Sequence, residues 1–251
     1  VGQLGLNDTV NRSSPVQVGA GTWSDIKGGA NAGAFIAKTT TGTIYTWGSN
    51  AYGQLGLTDT INRSSPVQVG TGSWNAIASS GTHTVAIRSD STMWAWGRNN
   101  YGQITAMPNS WTAISTNGKW SLGIQANGGM WAWGQNTFGQ LGNNSTVTTS
   151  SPVQIGASSW TAVAAGMYHA LAVLSTGALY SWGRNNFGQL GSATTANRSS
   201  PAVVGASSWT AISAGDYHSI ALSSAGTLFA WGRNNQGQID ITAVNQSSPV
   251  Q

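Results

Sequence analysis

The dipeptide Trp-Gly recurs five times, at Trp47-Gly48, Trp96-Gly97, Trp133-Gly134, Trp182-Gly183 and Trp231-Gly232, at intervals of 49, 37, 49 and 49 residues. A fixed period of this size makes the chain an array of one small unit, and such a unit buries its faces only against its neighbours. Other landmarks keep step. A second Trp stands 22 residues upstream of four of the pairs (Trp74, Trp111, Trp160, Trp209), and Trp23 stands 24 upstream of the first. Asn follows each Trp-Gly (Asn50, Asn99, Asn136, Asn185, Asn234), then Gly-Gln, and in most units Ser-Ser-Pro at Pro15, Pro66, Pro152, Pro201 and Pro249. The repeats divide the chain as 23–73, 74–110, 111–159, 160–208 and 209–251, preceded by a partial repeat at 1–22 that holds an outer strand only.

Each unit reads as a small antiparallel sheet. Trp209 to Ile212 forms a first strand, and His218 to Leu222 a second, rich in small and apolar residues. A tight turn follows, with Gly42, Gly128, Gly177 or Gly226 in four units and Ser91 in the fifth; Gly suits the positive φ of such turns. The third strand alternates, Leu179 and Ser181 on one face and Tyr180 and Trp182 on the other, a strand period of two. Ser-Pro-Val-Gln-Val supplies a fourth, outer strand, where an edge tolerates Pro. The unit 74–110 lacks this segment and runs Gly102 to Trp111 through Pro108 instead. No stretch carries a helical apolar period. Four short strands per repeat predict an all-β fold, a β-propeller of four-stranded blades with about five complete repeats plus an N-terminal half-repeat. The Trp of each pair fills the space between blades, and the Gly lets the chain leave the strand without a Cβ clash.

Composition narrows the chemistry. Charged residues make up only 6% of the chain, against roughly 25% in an ordinary domain, and 34 of 251 residues are Gly. Ten Lys and Arg face six Asp and no Glu, for a net charge of +4. The basic residues are scattered singly, whereas nucleic-acid binders gather them in a patch, so nucleic acid is not the expected partner. No apolar run reaches the roughly 18 residues of a membrane helix, so membrane insertion is not expected. With no Cys there is no thiolate metal site and no Cys nucleophile.

The candidate chemical residues sit in repeated slots. His83, His169 and His218 each lie 13 residues before a Trp-Gly pair; Trp120 fills that slot in unit 111–159, and Ala32 or Ala34 in the first. One His per blade around a ring does not converge on a metal, and a structural hydrogen bond at a strand start is the expected role. Asp8, Asp25, Asp59, Asp90, Asp216 and Asp240 form no pair suited to acid–base hydrolysis, and Asp8 and Asp59 read as turn residues. No metal, cofactor or catalytic residue is expected. Arg98, Arg184 and Arg233 follow Trp-Gly, while Arg12, Arg63 and Arg198 precede Pro by three; both sets read as rim residues whose stems cover aromatic surface, or as a ring of charges for an acidic partner. The slot before the His position varies most: Thr82, Lys119, Tyr168 and Tyr217, preceded by Gly81, Gly118, Met167 and Asp216. Variation inside a constant repeat marks residues that the fold does not dictate, so Lys119, Met167, Tyr168, Asp216 and Tyr217 are the candidate binding surface.

Tyr180 to Gly191 (YSWGRNNFGQLG) and Gly215 to Leu222 (GDYHSIAL) resemble the regulator of chromosome condensation repeat, and the resemblance covers essentially the whole chain. It implies a propeller, commonly of seven blades. It also implies one-face binding of a partner in secreted members and nucleotide exchange on a GTPase at chromatin in others; no basic tail or inserted wedge of the exchange type is present here. The expectation is a non-enzymatic scaffold that recognises a protein or glycan through one propeller face, in an extracellular, cell-surface or virion setting. The alternatives are an intracellular exchange-factor-like or chromatin-associated module and an enzyme with its site on a face loop. Outer strands at both ends suggest an excerpt of a longer array, whose spare strand pairs with missing repeats or with another chain.

Overall fold

The computed structural model describes residues 1–29, 33–105, 110–157, 159–240 and 243–251. Among them there is no helix, and five antiparallel sheets follow one another along the chain. Blade 1 contains β1 (Trp23–Gly28), β2 (Ala34–Thr39), β3 (Ile44–Gly48) and β4 (Arg63–Gln68). Blade 2 contains β5 (Trp74–Ser79), β6 (His83–Arg88) and β7 (Met93–Gly97). Blade 3 contains β8 (Trp111–Asn117), β9 (Trp120–Gln125), β10 (Met130–Gly134) and β11 (Thr149–Ile155). Blade 4 contains β12 (Trp160–Ala165), β13 (His169–Leu174), β14 (Leu179–Gly183) and β15 (Arg198–Val203), and blade 5 contains β16 (Trp209–Ala214), β17 (His218–Ser223), β18 (Leu228–Gly232) and β19 (Gln246–Val250). Strand order follows chain order in every sheet, so each blade is a meander. The architecture is the β-propeller that the repeat period predicts.

Two details depart from expectation. Blade 2 has three strands among its described residues, because the unit lacks the Ser-Ser-Pro segment that elsewhere forms the fourth; Pro108 lies outside the described residues. Residues 1–22 form no strand. Where this outer strand forms, the Ser-Ser-Pro segment pairs with the Trp-Gly strand of its own blade, and residues 13–17 pair with no strand among the described residues. Where the outer strand does form, its register shifts opposite the Trp of the pair, as between Ser181 and Gly183, a bulge that accommodates the Pro.

Four apolar clusters fill the four seams between consecutive blades. In the seam between blades 3 and 4, Trp120, Leu122, Met130 and Leu141 pack with Trp160, Ala172 and Trp182. The other three repeat this arrangement. The Trp of each pair also donates its indole N–H to the Gln carbonyl of the preceding Gly-Gln: Trp96 to Gln54 at 2.9 Å, Trp133 to Gln103 at 3.0 Å, Trp182 to Gln140 at 2.8 Å and Trp231 to Gln189 at 2.9 Å. Trp47 does the same to Gln3 at 2.9 Å. Residues 1–7 thus clasp blade 1 as a full unit clasps each later blade, and Asn7 N–H donates to Ser64 as Asn144 does to Ser199. A buried aromatic with its polar edge satisfied gives about 4–6 kcal/mol per seam as an upper estimate. The Gly of the pair is equally constrained. Gly183 has φ +102°, and a Cβ there would strike the Tyr168 carbonyl and lie 2.8 Å from the His169 Cα.

The inner strands β1, β5, β8, β12 and β16 surround a central cavity of about 410 Å³. Blades pack in sequence, β1 and β2 on β5 and so on to β12 and β13 on β16; no comparable packing joins blade 5 to blade 1 among the described residues. Leu228 on the outer face of blade 5 and Ile26 in blade 1 are each 58% exposed.

Candidate functional site

Each Trp-Gly turn is tied to the turn that opens the second strand of its own blade. The amide after the Gly donates to a turn carbonyl: Ser49 to Gly33, Arg98 to Thr82, Gln135 to Lys119, Arg184 to Tyr168 and Arg233 to Tyr217, at 2.8–3.0 Å. The variable turn residue and the residue after Trp-Gly therefore stand side by side on one face of the propeller.

A third group completes this face. The residue before each Gly-Gln is aromatic in four units, and a cation of the next blade lies over it. Arg98 is 4.9 Å from the centre of the Tyr52 ring, Lys119 Nζ 4.9 Å from Tyr101, Arg184 4.8 Å from Phe138 and Arg233 5.4 Å from Phe187. Arg184 also lies 5.6 Å from both Tyr168 and Tyr217, and Arg233 5.6 Å from Tyr217. The rings touch edge to face, Phe138 on Tyr168 at 5.1 Å and Phe187 on Tyr217 at 5.5 Å. Cations and ring faces attract by roughly 0.5–2 kcal/mol each, so this ladder across blades 3 to 5 holds its side chains in place.

Two concavities lie along the ladder. The smaller, about 150 Å³, is lined by Arg98, Lys119, Met167, Tyr168 and Asp216 among others. The larger, about 420 Å³, includes Asp216, Tyr217, His218 and Arg233. The five residues selected by variability, Lys119, Met167, Tyr168, Asp216 and Tyr217, thus share one face and are all half-buried. The three Arg after Trp-Gly belong to the same surface. Arg12 and Arg63 do not: each pairs with the Asp four residues before it, Asp8 at 2.5 Å and Asp59 at 2.6 Å. Those Asp also cap their own turns by accepting from Val10 and Ile61, and these bonds hold both carboxyls below the usual range.

The histidines lie beneath this face. His83 is buried; Ser80 Oγ lies 2.7 Å from Nδ1, and Nε2 lies 3.0 Å from Ser121 Oγ in the next blade. His169 Nε2 meets Ser219 Oγ of blade 5 at 2.9 Å, and Ser219 Oγ donates to the Gln189 carbonyl at 2.8 Å. Since that serine proton is committed, Nε2–H of His169 must be the donor and Nδ1 stays unprotonated. Burial pushes both histidines down to about 3, so they are neutral at physiological pH. They bridge blades. Trp120 fills the same slot and reaches the Gly166 carbonyl at 3.1 Å, also across a seam. In blade 1 the residue opposite the Trp-Gly glycine is Ala34, and Ala32 lies outside the described residues. His218 is half-buried; desolvation lowers it and the Asp216 carboxylate opposes that shift. No group of three or more His, Asp, Glu or Cys suited to a metal occurs among the described residues.

Two models of the Regulator of chromosome condensation (RCC1) repeat match this sequence, one over residues 41–87, 127–173 and 176–222, the other over 26–54, 74–103, 160–189 and 209–238. The chain belongs to the RCC1 repeat family. Propellers of this family are typically non-enzymatic binding modules or exchange factors. Solved structures agree on the fold. The chain is similar to human WBSCR16 (20% identity, TM-score 0.78, 91% of this chain and 66% of that one). It is also similar to Prp20p from Saccharomyces cerevisiae, described with its binding to Gsp1p and histones (18%, 0.76, 86% and 60%). A third is the ectodomain of the Physcomitrella patens receptor kinase CR4 (19%, 0.61, 92% and 60%). The chain spans about three-fifths to two-thirds of the length of these proteins. No curated protein sequence matches it.

Within this RCC1-repeat propeller, the sequence pointed to the variable turns but not to their aromatic partners. Tyr52, Tyr101, Phe138 and Phe187 carry a legible signal, an aromatic directly before each Gly-Gln, and Gln236 breaks the series in the last unit.

Proposed function

We propose that this propeller is a non-enzymatic scaffold that recognises a protein partner through the face bearing Lys119, Met167, Tyr168, Asp216 and Tyr217, and that it works outside the cell, secreted or on a cell or virion surface. The observation that carries the reading is the aromatic–cation ladder. Tyr and Arg dominate the energetics of protein interfaces, and here they are fixed by mutual stacking before any partner arrives, which lowers the ordering cost of binding. Prp20p, with the same fold, binds proteins, and the CR4 ectodomain shows the fold in use outside a cell. The Glu-free surface, poor in charge and rich in Ser, Thr, Asn and Gly, fits that setting.

Site-specific photo-cross-linking from position 217 tests the face, with position 176 on the opposite rim as the control. Partner adducts at 217 and none at 176 are the expected result; equal yields at both, or adducts only at 176, would overturn it. A glycan adduct in place of a protein would replace the partner class. A GTPase or nucleosome captured at 217 would leave the face intact and overturn the extracellular setting.

A further inference from the structure

We infer that the partner segment seated on this face is acidic and extended, with carboxylates at alternate positions gripped by Arg184 and Arg233. This deepens the face-binding reading and rests on it. In both arginines Nε is spent on the Asn two residues later, Arg184 on Asn186 at 3.1 Å and Arg233 on Asn235 at 2.7 Å. The guanidinium planes are further held by Phe138, Tyr168, Tyr217 and Phe187. No acidic residue pairs with either among the described residues. Their terminal Nη groups are left as forks, oriented and unpaired, the geometry that accepts a carboxylate through two parallel bonds. Both cations lie 5.6 Å from the Tyr217 ring centre, which keeps them within about 11 Å of each other. Side chains two apart on an extended strand are separated by roughly 7 Å, so one strand spans both forks. Arg98 and Lys119 add positive charge along the same ladder. Among the described residues Asp216 is the one carboxylate lining either concavity, and it opposes an acidic guest at its own end.

The test is fluorescence anisotropy of the full 251-residue chain with three labelled probes: an alternating Glu-Ser octapeptide, its Lys-Ser counterpart and a heparin octasaccharide. The Glu-Ser peptide binds, weakens with salt and outcompetes the Lys-Ser peptide. The double variant Arg184→Lys/Arg233→Lys keeps the charge and the ring contact but loses the fork, and its affinity falls about tenfold with the melting temperature held. Asp216→Asn tightens binding severalfold, a gain that a purely structural ladder would not give. Equal binding of the Lys-Ser peptide, an unchanged lysine double variant, or heparin binding without Glu-Ser binding each overturns the inference. Should cross-linking at 217 instead capture a partner segment lacking acidic residues, the acidic inference fails while the face reading stands; no adduct at 217 ends both.

Discussion

Blades 4 and 5 are nearly the same sentence written twice, yet they occupy different physical states. Leu179 and Leu228 hold one slot, as do Tyr180 and Phe229, Trp182 and Trp231, His169 and His218. In blade 4 a neighbour covers both faces: Leu179 is fully buried and five of the six residues of β13 are buried. In blade 5 no further strand packs on the outer face among the described residues, Leu228 is 58% exposed and the burial along β17 alternates. Both Trp residues stay buried, because each faces backward onto the preceding Gly-Gln. A repeat thus specifies half of two seams, and its stability is set by whether the other halves are present.

The largest test of this contrast is one substitution made twice. Leu179→Ala opens a cavity in a packed seam and should cost about 2–5 kcal/mol. Leu228→Ala removes an exposed side chain and should cost no more than about 0.5 kcal/mol. Urea unfolding followed by Trp fluorescence reads both, and equal costs would show that the outer face of blade 5 is covered in solution. Hydrogen exchange sharpens the point: amides of β17 and β18 should exchange ahead of their counterparts in β13 and β14.

Acid provides the next largest effect. An unfolded His titrates near 6.5, whereas burial drives His83 and His169 down to about 3. The folded value lies below the unfolded one, so as pH falls the unfolded chain takes up protons first. The stabilisation from keeping these rings neutral is complete above pH 6.5 and drains away between 6.5 and 3, by about 1.4 kcal/mol per unit for each ring. By pH 5 the loss is about 2 kcal/mol per buried His. The lowered carboxyls of Asp8, Asp59 and Asp90 act only below about pH 4, where their stabilisation is lost as they protonate, so they leave this window clear. Denaturation midpoints at pH 7.5 and 5.0 check it, and a flat profile would contradict neutral burial. His218, half-buried beside Asp216, contributes less than its counterparts.

Much of this was legible because a repeat offers five readings of each position. The strands, the turn glycines and the interblade Trp follow from periodicity and from the steric needs of a bulky ring beside a Gly. The seam network was not legible, since His83 and Ser121 stand 38 residues apart and His169 and Ser219 stand 50 apart. A small polar residue in an apolar strand does not announce its partner. A faint signal existed: the residue after the His slot carries a hydroxyl at Thr84, Ser121 and Ser219, and all three donate to a Gln carbonyl. The N-terminal segment misled in a different way. Residues 13–17 have the outer-strand motif but pair with no strand among the described residues, and pairing, unlike side-chain pattern, depends on what lies alongside.

The smallest effect isolates that network. Ser219→Ala takes an acceptor from His169 Nε2 and a donor from the Gln189 carbonyl, both fully buried, while leaving the apolar packing of the seam unchanged. A buried N–H left without a partner costs about 1–3 kcal/mol, but the Gln189 carbonyl keeps the Trp231 indole at 2.9 Å, so the expected loss is about 1–2 kcal/mol. The matching probe in the open blade is His218→Ala. Among the described residues its ring makes no side-chain hydrogen bond across a seam, and the loss should stay near about 0.5 kcal/mol or below. A cost for His218→Ala as large as that of Ser219→Ala would mean that blade 5 is clasped in solution by a partner supplying the missing serine, and the difference between the two blades would then disappear.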